Sequence, residues 1–454
     1  MTITRKTFDE VMIPCYKPMD MLIVKGHGSY LYDSNGCKYL DLTGGVAVNC
    51  LGHTHKGVRK VIARQSARLM HVSNIFANRT TLKTAAQLTA LTGYDKVFFC
   101  NSGTEANEAA LKLARRAAFE KYGEQKNEII SFSRSFHGRT FFAVCVAAQD
   151  KYSDGFGPKP GAITHVEFNN PAALESVISD KTCAVILEPL QGEGGVIAAH
   201  PDFLAKVREL CTKYHALLIF DEVQTGVGRT GTLYAYMQTP VIPDIVTSAK
   251  GLAAGLPMGA VLTSSQIAAH FGPGTHGCTF GGGALTCAVS SYVLDKISRD
   301  SFLYKVRYKG SYLMDALKLL GKKYQVFSVV RGQGLLIGCV LSEQYANQSA
   351  QLQAVCAKHH LLALVAGPEV LRLAPALNIK MRDLEKAVKR LDEALCEFTG
   401  SSAEPAAAAK AEAKDEKSKE KQENEEDKSK KDKSKEDKSK EDKSKEDKSK
   451  EEKV

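Results

Sequence analysis

The segment NSGTEANEAALKLAR, Asn101 to Arg115, follows the apolar run Val97–Cys100 and opens on small and hydroxyl-bearing residues. Ser102, Gly103 and Thr104 fall where a strand would turn into a helix. Free N–H groups and the positive end of the helix dipole make such a turn a cradle for phosphate, and glycine lets the anion approach closely. A purely structural reading also fits, with Ser102 or Thr104 as N-cap and Glu105 complementing the dipole.

A second segment, LLIFDEVQTGVGRTG, puts Asp221 at the carboxyl end of an apolar run, the end at which open α/β sheets bind ligands. A carboxylate buried there needs a partner. A pyridinium nitrogen is one, because the carboxylate keeps it protonated and so keeps the ring an electron sink. A neighbouring arginine is another. Gly226, Gly228 and Gly231 match a dinucleotide fingerprint, but the context argues against it. The acidic pair Asp221–Glu222 precedes the glycines, no helical pattern follows in TLYAYMQTPVIPD, and Asp244 stands before its strand rather than after it. The segment reads as a turn-rich loop.

The third segment is DIVTSAKGLAAGLPMGA, in which Lys250 comes just after a strand and before a glycine-rich turn. Partial desolvation lowers a lysine pKa and lets it form a Schiff base at neutral pH. Taken alone, a strand-end lysine is more often a solvated charge. The order along the chain, phosphate cradle, strand-end Asp221, strand-end Lys250, favours the chemical reading.

The elements that must position these residues alternate in the manner of an α/β protein. Strands are expected at Val97–Cys100, Ile129–Phe132, Ala184–Glu188, Leu217–Asp221, Ile245–Ser248 and Ala260–Thr263, and helices at Glu105–Lys121 and Phe203–Tyr214. From about Ser301 a long helical stretch precedes RGQGLLIGCVL and LRLAPALN, which suggests a smaller α+β domain. The first forty-odd residues read as a strand-rich leading segment that packs on it. Beyond Gly400, SSAEPAAAAKAEAK runs into four consecutive copies of DKSKE, with no large apolar or aromatic residue before Val454. Such a segment has nothing to offset its ordering entropy and reads as a disordered tail, either a solubilising extension or a binding element.

Composition sets the outer limits. With 44% hydrophobic and 25% charged residues the 454-residue chain is globular in type. No run of eighteen apolar residues predicts a membrane span, and MTITRKTFDEVMIP resembles neither a secretory signal nor a transit peptide, so a cytoplasmic protein is expected. Twelve cysteines without a Cys-x-x-Cys pair suggest buried, reduced thiols, and His53 and His55 lack further ligands at a zinc spacing, so no metal is expected. The formal charge of +10 hides a tail that is near neutral: residues 401–454 hold 17 Lys against 18 Asp and Glu, leaving +11 on the body. A basic body suits phosphates and carboxylates; no basic run with interleaved aromatics points to nucleic acid.

Together with GGVAVNCLGH, SFHGRT, YSDGFGPKP, EPLQGEGGV, GTHGCTFGG and RLAPALN, these segments form an ordered series from about Ile3 to Phe398 that resembles the class III, fold-type I aminotransferases dependent on pyridoxal phosphate (PLP). Within them it looks most like the acetylornithine and succinylornithine branch. The resemblance implies a large domain (46–304) around a mostly parallel seven-stranded sheet. A leading segment (1–45) would pack with a smaller α+β domain (305–400), and the tail (401–454) lies outside. It implies a homodimer with shared active sites.

Roles follow by the same resemblance. Lys250 would bond the cofactor and shuttle a proton; Asp221 would pair with the ring nitrogen, Val223 would back the ring and Gln224 would sit near its hydroxyl. Phe136 would stack on the other face. Ser102, Gly103 and Thr104 would hold the phosphate, joined by Thr279 from the neighbouring subunit. Arg139 would bind a carboxylate of the acylated ornithine with Cys278 close by. Arg372 would bind the α-carboxylate of glutamate and 2-oxoglutarate, with Glu193 as its resting partner. The sequence departs from the family at Cys278, where a hydroxyl-bearing residue is usual, at Gly283–Ala284 in place of Asn-Pro, and at Lys56 in place of Pro.

The implied reaction moves the δ-amino group of N-acetyl-ornithine to 2-oxoglutarate in two half-reactions, giving the semialdehyde and glutamate. Succinylornithine, ornithine, 4-aminobutyrate or succinyl-diaminopimelate are alternative donors. A PLP isomerase or decarboxylase on the same fold, or a non-catalytic binding protein, are the rival classes.

Overall fold

The computed structural model describes residues 3–401; the repeat tail expected over 401–454 lies, beyond Ser401, outside the described residues. At its centre is a seven-stranded sheet in the order Lys96–Cys100, Gly259–Thr263, Ile245–Ser248, Leu217–Asp221, Thr182–Leu187, Glu128–Phe132, Ile163–Val166. Only Gly259–Thr263 runs antiparallel to its neighbours. Strands Thr182–Leu187 and Gly259–Thr263 are buried along their whole length, as a sheet covered on both faces requires. Phe220 pairs with Val246 on one side and Leu187 on the other, so Asp221, Ser248 and Leu187 end at the same rim of the sheet.

The sequence did not reveal strand Ile163–Val166, because ITHV is an edge strand with only one fully buried residue and shows no apolar run. The other six central strands start or stop within two residues of expectation. Helix Gly103–Tyr122 buries Ala106, Ala109, Ala110, Leu113, Ala114 and Ala117 against the sheet, and the small side chains let it lie close. Ser102 is its N-cap and Gly123 its C-cap. Helix Pro201–Lys213 starts on proline at its first position.

The leading segment forms strands Ile23–His27, Tyr30–Asp33 and Lys38–Asp41, and Leu361–Leu362 from near the other end of the chain joins the same sheet beside Leu40 and Asp41. Tyr30 donates to Asp383 at 2.7 Å on the last helix, Met381–Thr399. A second four-stranded sheet holds Phe327–Gln333, Leu336–Leu341, Val370–Leu373 and Leu364–Val365, flanked by helix Asp300–Tyr324. The stretch after Arg372 is sewn to residues 42–51: Ala374 N–H donates to Leu42 O at 2.7 Å, Leu377 N–H to Cys50 O at 2.8 Å, and Asn378 to Leu51 O at 2.8 Å.

None of the twelve cysteines forms a disulfide. Expected buried throughout, they divide: Cys15 is exposed and Cys37, Cys278 and Cys396 are partly so, because they sit on loops or helix ends. Among the described residues no helix is long and apolar enough to cross a membrane.

Candidate active site

Asp221 closes its strand fully buried, and its carboxylate is held on both oxygens. Oδ2 accepts from Asn107 Nδ2 at 2.8 Å and lies 2.8 Å from His137 Nδ1; Oδ1 accepts from Val223 N–H at 3.0 Å. Asn107 also donates to His137 O at 2.7 Å and accepts from Thr247 Oγ1 at 2.7 Å. A carboxylate facing Nδ1 selects the tautomer with the proton there, which leaves His137 Nε2 buried and without a partner among the described residues. An arginine was one partner that Asp221 could have had; the fold supplies His137 and Asn107 instead. Neither was singled out from the sequence, although Asn107 stands out as a polar residue inside an alanine stripe and His137 lies within SFHGRT.

Glu188, just past the end of strand Thr182–Leu187, was also missed. Its Oε2 accepts from Phe136 N–H at 3.1 Å and its Oε1 from Gly192 N–H at 3.3 Å. Burial, with the negative Asp221 adding to it, pushes its carboxyl up to about 7. The carboxylate therefore ties the segment carrying Phe136 to the turn carrying Glu193.

The turn at the head of helix Gly103–Tyr122 has the form of an anion cradle. Ser102 Oγ accepts from Glu105 N–H at 3.2 Å, so the capping role and the open cradle coexist. The N–H groups of Gly103 and Thr104 have no acceptor among the described residues. A Cβ on Gly103 would stand 2.6 Å from Val223 Cγ1, so the turn and the residue after Asp221 are in contact only because Gly103 has no side chain.

Lys250 begins a short 3₁₀ turn, Lys250–Ala253, in the left-handed region at φ 45°. Burial lowers its pKa, against the pull of the nearby Glu193 carboxylate. Its neutral amine is thus favoured relative to an ordinary lysine. Cys50 Sγ donates to Gly251 O at 3.1 Å, bracing the turn from behind.

Glu193, Arg372 and Gln224 form a cluster. Arg372, almost wholly buried on strand Val370–Leu373, donates through Nη1 to Glu193 Oε1 at 2.5 Å, Gly192 O at 3.0 Å and Gln224 Oε1 at 3.1 Å. Gln224 Nε2 donates in turn to Glu193 Oε1 at 3.2 Å. Although partly buried, Glu193 is held below its ordinary carboxylate range by Arg372.

The remaining residues lie at the margin. Arg139 is exposed, its guanidinium 3.7 Å from the Tyr152 ring centroid and 5.5 Å from that of half-buried Phe136, and it has no carboxylate partner among the described residues. Cys278 touches the cradle rim, where Asn101 Nδ2 lies 3.1 Å from its Sγ and Glu105 Oε2 3.8 Å; among the described residues it makes no hydrogen bond to Arg139. Thr279 is exposed. The glycines of the rejected dinucleotide motif are packing sites: a Cβ on Gly226 would lie 2.7 Å from Glu222 O, and Gly228 and Gly231 take positive φ.

One rim of the sheet thus gathers open amides for a phosphate, a buried carboxylate for a protonated ring nitrogen, and a lysine of lowered pKa. Those residues fit pyridoxal phosphate. Residues 12–395 match the model of the aminotransferase class-III family. The chain is 50% identical over 401 residues to the acetylornithine aminotransferase of Shewanella oneidensis, covering 88% of this chain and 99% of that protein. It is also 50% identical, over 398 residues, to the succinylornithine transaminase of Photorhabdus laumondii, at 88% and 99% coverage. The solved N-acetylornithine aminotransferase of Stenotrophomonas maltophilia superposes with a TM-score of 0.76 at 36% identity, covering 85% of this chain and 98% of that one. The chain belongs to the class-III aminotransferases, and pyridoxal phosphate is its cofactor.

Proposed function

We propose that the enzyme transfers the δ-amino group of N2-acetyl-ornithine to 2-oxoglutarate, forming N-acetylglutamate 5-semialdehyde and glutamate. The observation that carries this reading is the Glu193–Arg372 pair beside Lys250. A donor that presents an ω-amine on an apolar stem is poorly served by a bare arginine, whereas glutamate needs that arginine for its α-carboxylate. A cation already paired with a movable carboxylate serves both.

When bound, pyridoxal phosphate supplies the electron sink that stabilises negative charge at the substrate carbon. The chain's own residues do the rest. The Gly103 and Thr104 amides and Ser102 hold the phosphate, with Thr279 from a second subunit. Asp221, fixed by Asn107 and His137, would keep the ring nitrogen protonated, and Val223, Phe136 and Gln224 would hold the ring. Lys250 Nζ, its pKa lowered by burial, moves the proton at the substrate carbon. Arg139 takes a carboxylate of the acylated donor, and Cys278 stays at the cradle rim against Asn101.

A homodimer is part of the proposal. Phe280, next to Thr279, is exposed, and so are Met70, Ile75 and Phe76 on the segment that Asn74 ties to Cys278 O and Gly281 O; exposed apolar side chains of this kind suit cover by a second copy. Cytoplasmic location and a division into 1–45, 46–304 and 305–400 belong to the same reading. Succinylornithine is the second donor to weigh, because a transaminase named for it is as similar to this chain as one named for acetylornithine. Specificity constants for acetylornithine, succinylornithine, ornithine, 4-aminobutyrate and succinyl-diaminopimelate, measured side by side with 2-oxoglutarate, test the proposal. A preference for unacylated ornithine or 4-aminobutyrate would overturn it.

A further inference from the structure

Glu108 stands on helix Gly103–Tyr122, in the turn after the cradle, and has no part in the roles assigned above. Its Oε1 accepts three hydrogen bonds: from Thr140 Oγ1 at 2.5 Å, from Phe142 N–H at 3.1 Å and from Ala143 N–H at 3.0 Å. The two amides open the short helix Phe141–Val146, whose own N-cap residue, Thr140, makes no side-chain cap. Helix caps normally come from the residue at the helix start. Here the acceptor is supplied by another helix, 32 residues earlier than Thr140.

Thr140 is fastened to the cradle as well. Its Oγ1 lies 2.8 Å from Thr104 Oγ1, and its N–H donates to the same oxygen at 3.2 Å. On the other side of Arg139, Gly138 has φ 129°, and a Cβ there would stand 2.1 Å from Thr104 Oγ1. The backbone of Arg139 is therefore flanked by Gly138 pressed against Thr104 and Thr140 bonded to Thr104 and Glu108. Its side chain, by contrast, is exposed and, among the described residues, steadied by the Tyr152 and Phe136 rings.

We propose that Glu108 is a positioning residue for Arg139. By capping the helix that follows and holding Thr140, it fixes where the guanidinium stands relative to the phosphate cradle, and so where a substrate carboxylate can lie relative to the reacting amine. The inference rests on the reading of Arg139 as a carboxylate-binding cation. All three of its donors are neutral, so the site uses the acceptor oxygen and its geometry rather than the charge.

The test is a double-mutant cycle in the holoenzyme. Glutarate, an unreactive dicarboxylate, is titrated calorimetrically into the wild type, Glu108→Ala, Glu108→Gln, Arg139→Ala and the Glu108→Ala/Arg139→Ala double variant, and KM and kcat for the amino donor are measured alongside. Glu108→Ala weakens glutarate and raises KM by about tenfold with kcat changed by less than about threefold, and once Arg139 is gone it adds less than about twofold. Glu108→Gln, which keeps the acceptor oxygen, stays within about twofold of the wild type. Additive losses, an equal loss with an amine donor that has no carboxylate, or a Gln variant as impaired as Ala would overturn the proposal. Should Glu108→Ala not fold, Thr140→Val carries the same cycle by removing the hydroxyl link. If Arg139→Ala alone leaves glutarate binding intact, the role of Arg139 fails and this inference with it. If the wild type rejects acyl-ornithines, only the donor assignment fails, since glutarate binding reads the cycle without it.

Discussion

Arg372 gives Nη1 to three oxygens at once, those of Glu193, Gly192 and Gln224, while its buried Nε has no partner among the described residues. The arginine is thus neutralised on one edge and left with an unused donor, the state of a cation held in reserve. Replacing Glu193 with Ala would leave it bare in both half-reactions, favouring α-amino acids over ω-amino donors. Arg372→Ala would mainly weaken glutamate and 2-oxoglutarate. Losing one partner of a buried charged pair costs about 2–5 kcal/mol, so each effect reaches at least tens-fold. Single-turnover rates of the two half-reactions measured separately decide the matter; equal slowing of both by either variant would sink the gate.

Lys250 is expected to be dispensable for holding the cofactor and indispensable for turnover. The cradle amides and Asp221 remain in Lys250→Ala, so the purified variant retains pyridoxal phosphate through gel filtration while kcat falls by roughly three orders of magnitude or more. Near-normal steady-state turnover would remove Lys250 from its role.

Glu222 offers a pH test. It is buried, accepting from Thr225 Oγ1, from Ala235 N–H at 2.9 Å and from Tyr236 N–H at 2.7 Å, and burial pushes its carboxyl up to about 7. Between the unfolded carboxyl value of about 4.3 and that figure, the folded protein holds a proton that the unfolded chain has released. Stability therefore falls as pH rises across this window and levels off above it. The contribution amounts to about 4 kcal/mol over the whole window. Glu222→Gln imitates the neutral acid and should lack this component. Denaturant midpoints of both proteins from about pH 5 to about pH 8 would show the wild type losing stability relative to Glu222→Gln as pH rises; parallel curves would contradict the assignment.

Gly283 is the N-cap of helix Ala284–Ile297 and provides no side-chain cap, at φ −54° where any residue fits. Gly283→Asn should restore a capping acceptor and stabilise by a few tenths of a kcal/mol, about 0.3. A new Cβ would meet Phe280 O at 3.2 Å, close enough that the loop must give slightly. A lowered denaturant midpoint would mean that the Phe280 carbonyl does not yield.

How far the sequence reached is clearest at Asp221 and its surroundings. An apolar run ending in an acidic residue, followed by glycines, marks a strand end whatever the tertiary context, and the six central strands were legible for that reason: burial on both faces demands continuous apolar runs. Edge strand Ile163–Val166 was not legible, because an edge makes no such demand. The cradle was readable from Ser102, Gly103 and Thr104 because helix starts have local chemistry.

What only the tertiary structure decided is which distant groups meet. Asn107 and His137 meet the Asp221 carboxylate and Thr247, 140 residues from Asn107, bonds Asn107 in turn, because helix, loop and two adjacent strands end at one rim of the sheet. Glu188 and Glu108 carry no local signature of their tasks; Glu188 accepts from Phe136 N–H, and Glu108 from Phe142 and Ala143 N–H, all more than thirty residues away, and such bonds leave no pattern in residue type. The sequence by itself determined the alternation of elements, the cradle, and the identities of Asp221 and Lys250, since these follow from local burial and helix-end physics. Packing alone chose their partners, because a buried charge takes whatever donors the closing fold brings within about 3 Å.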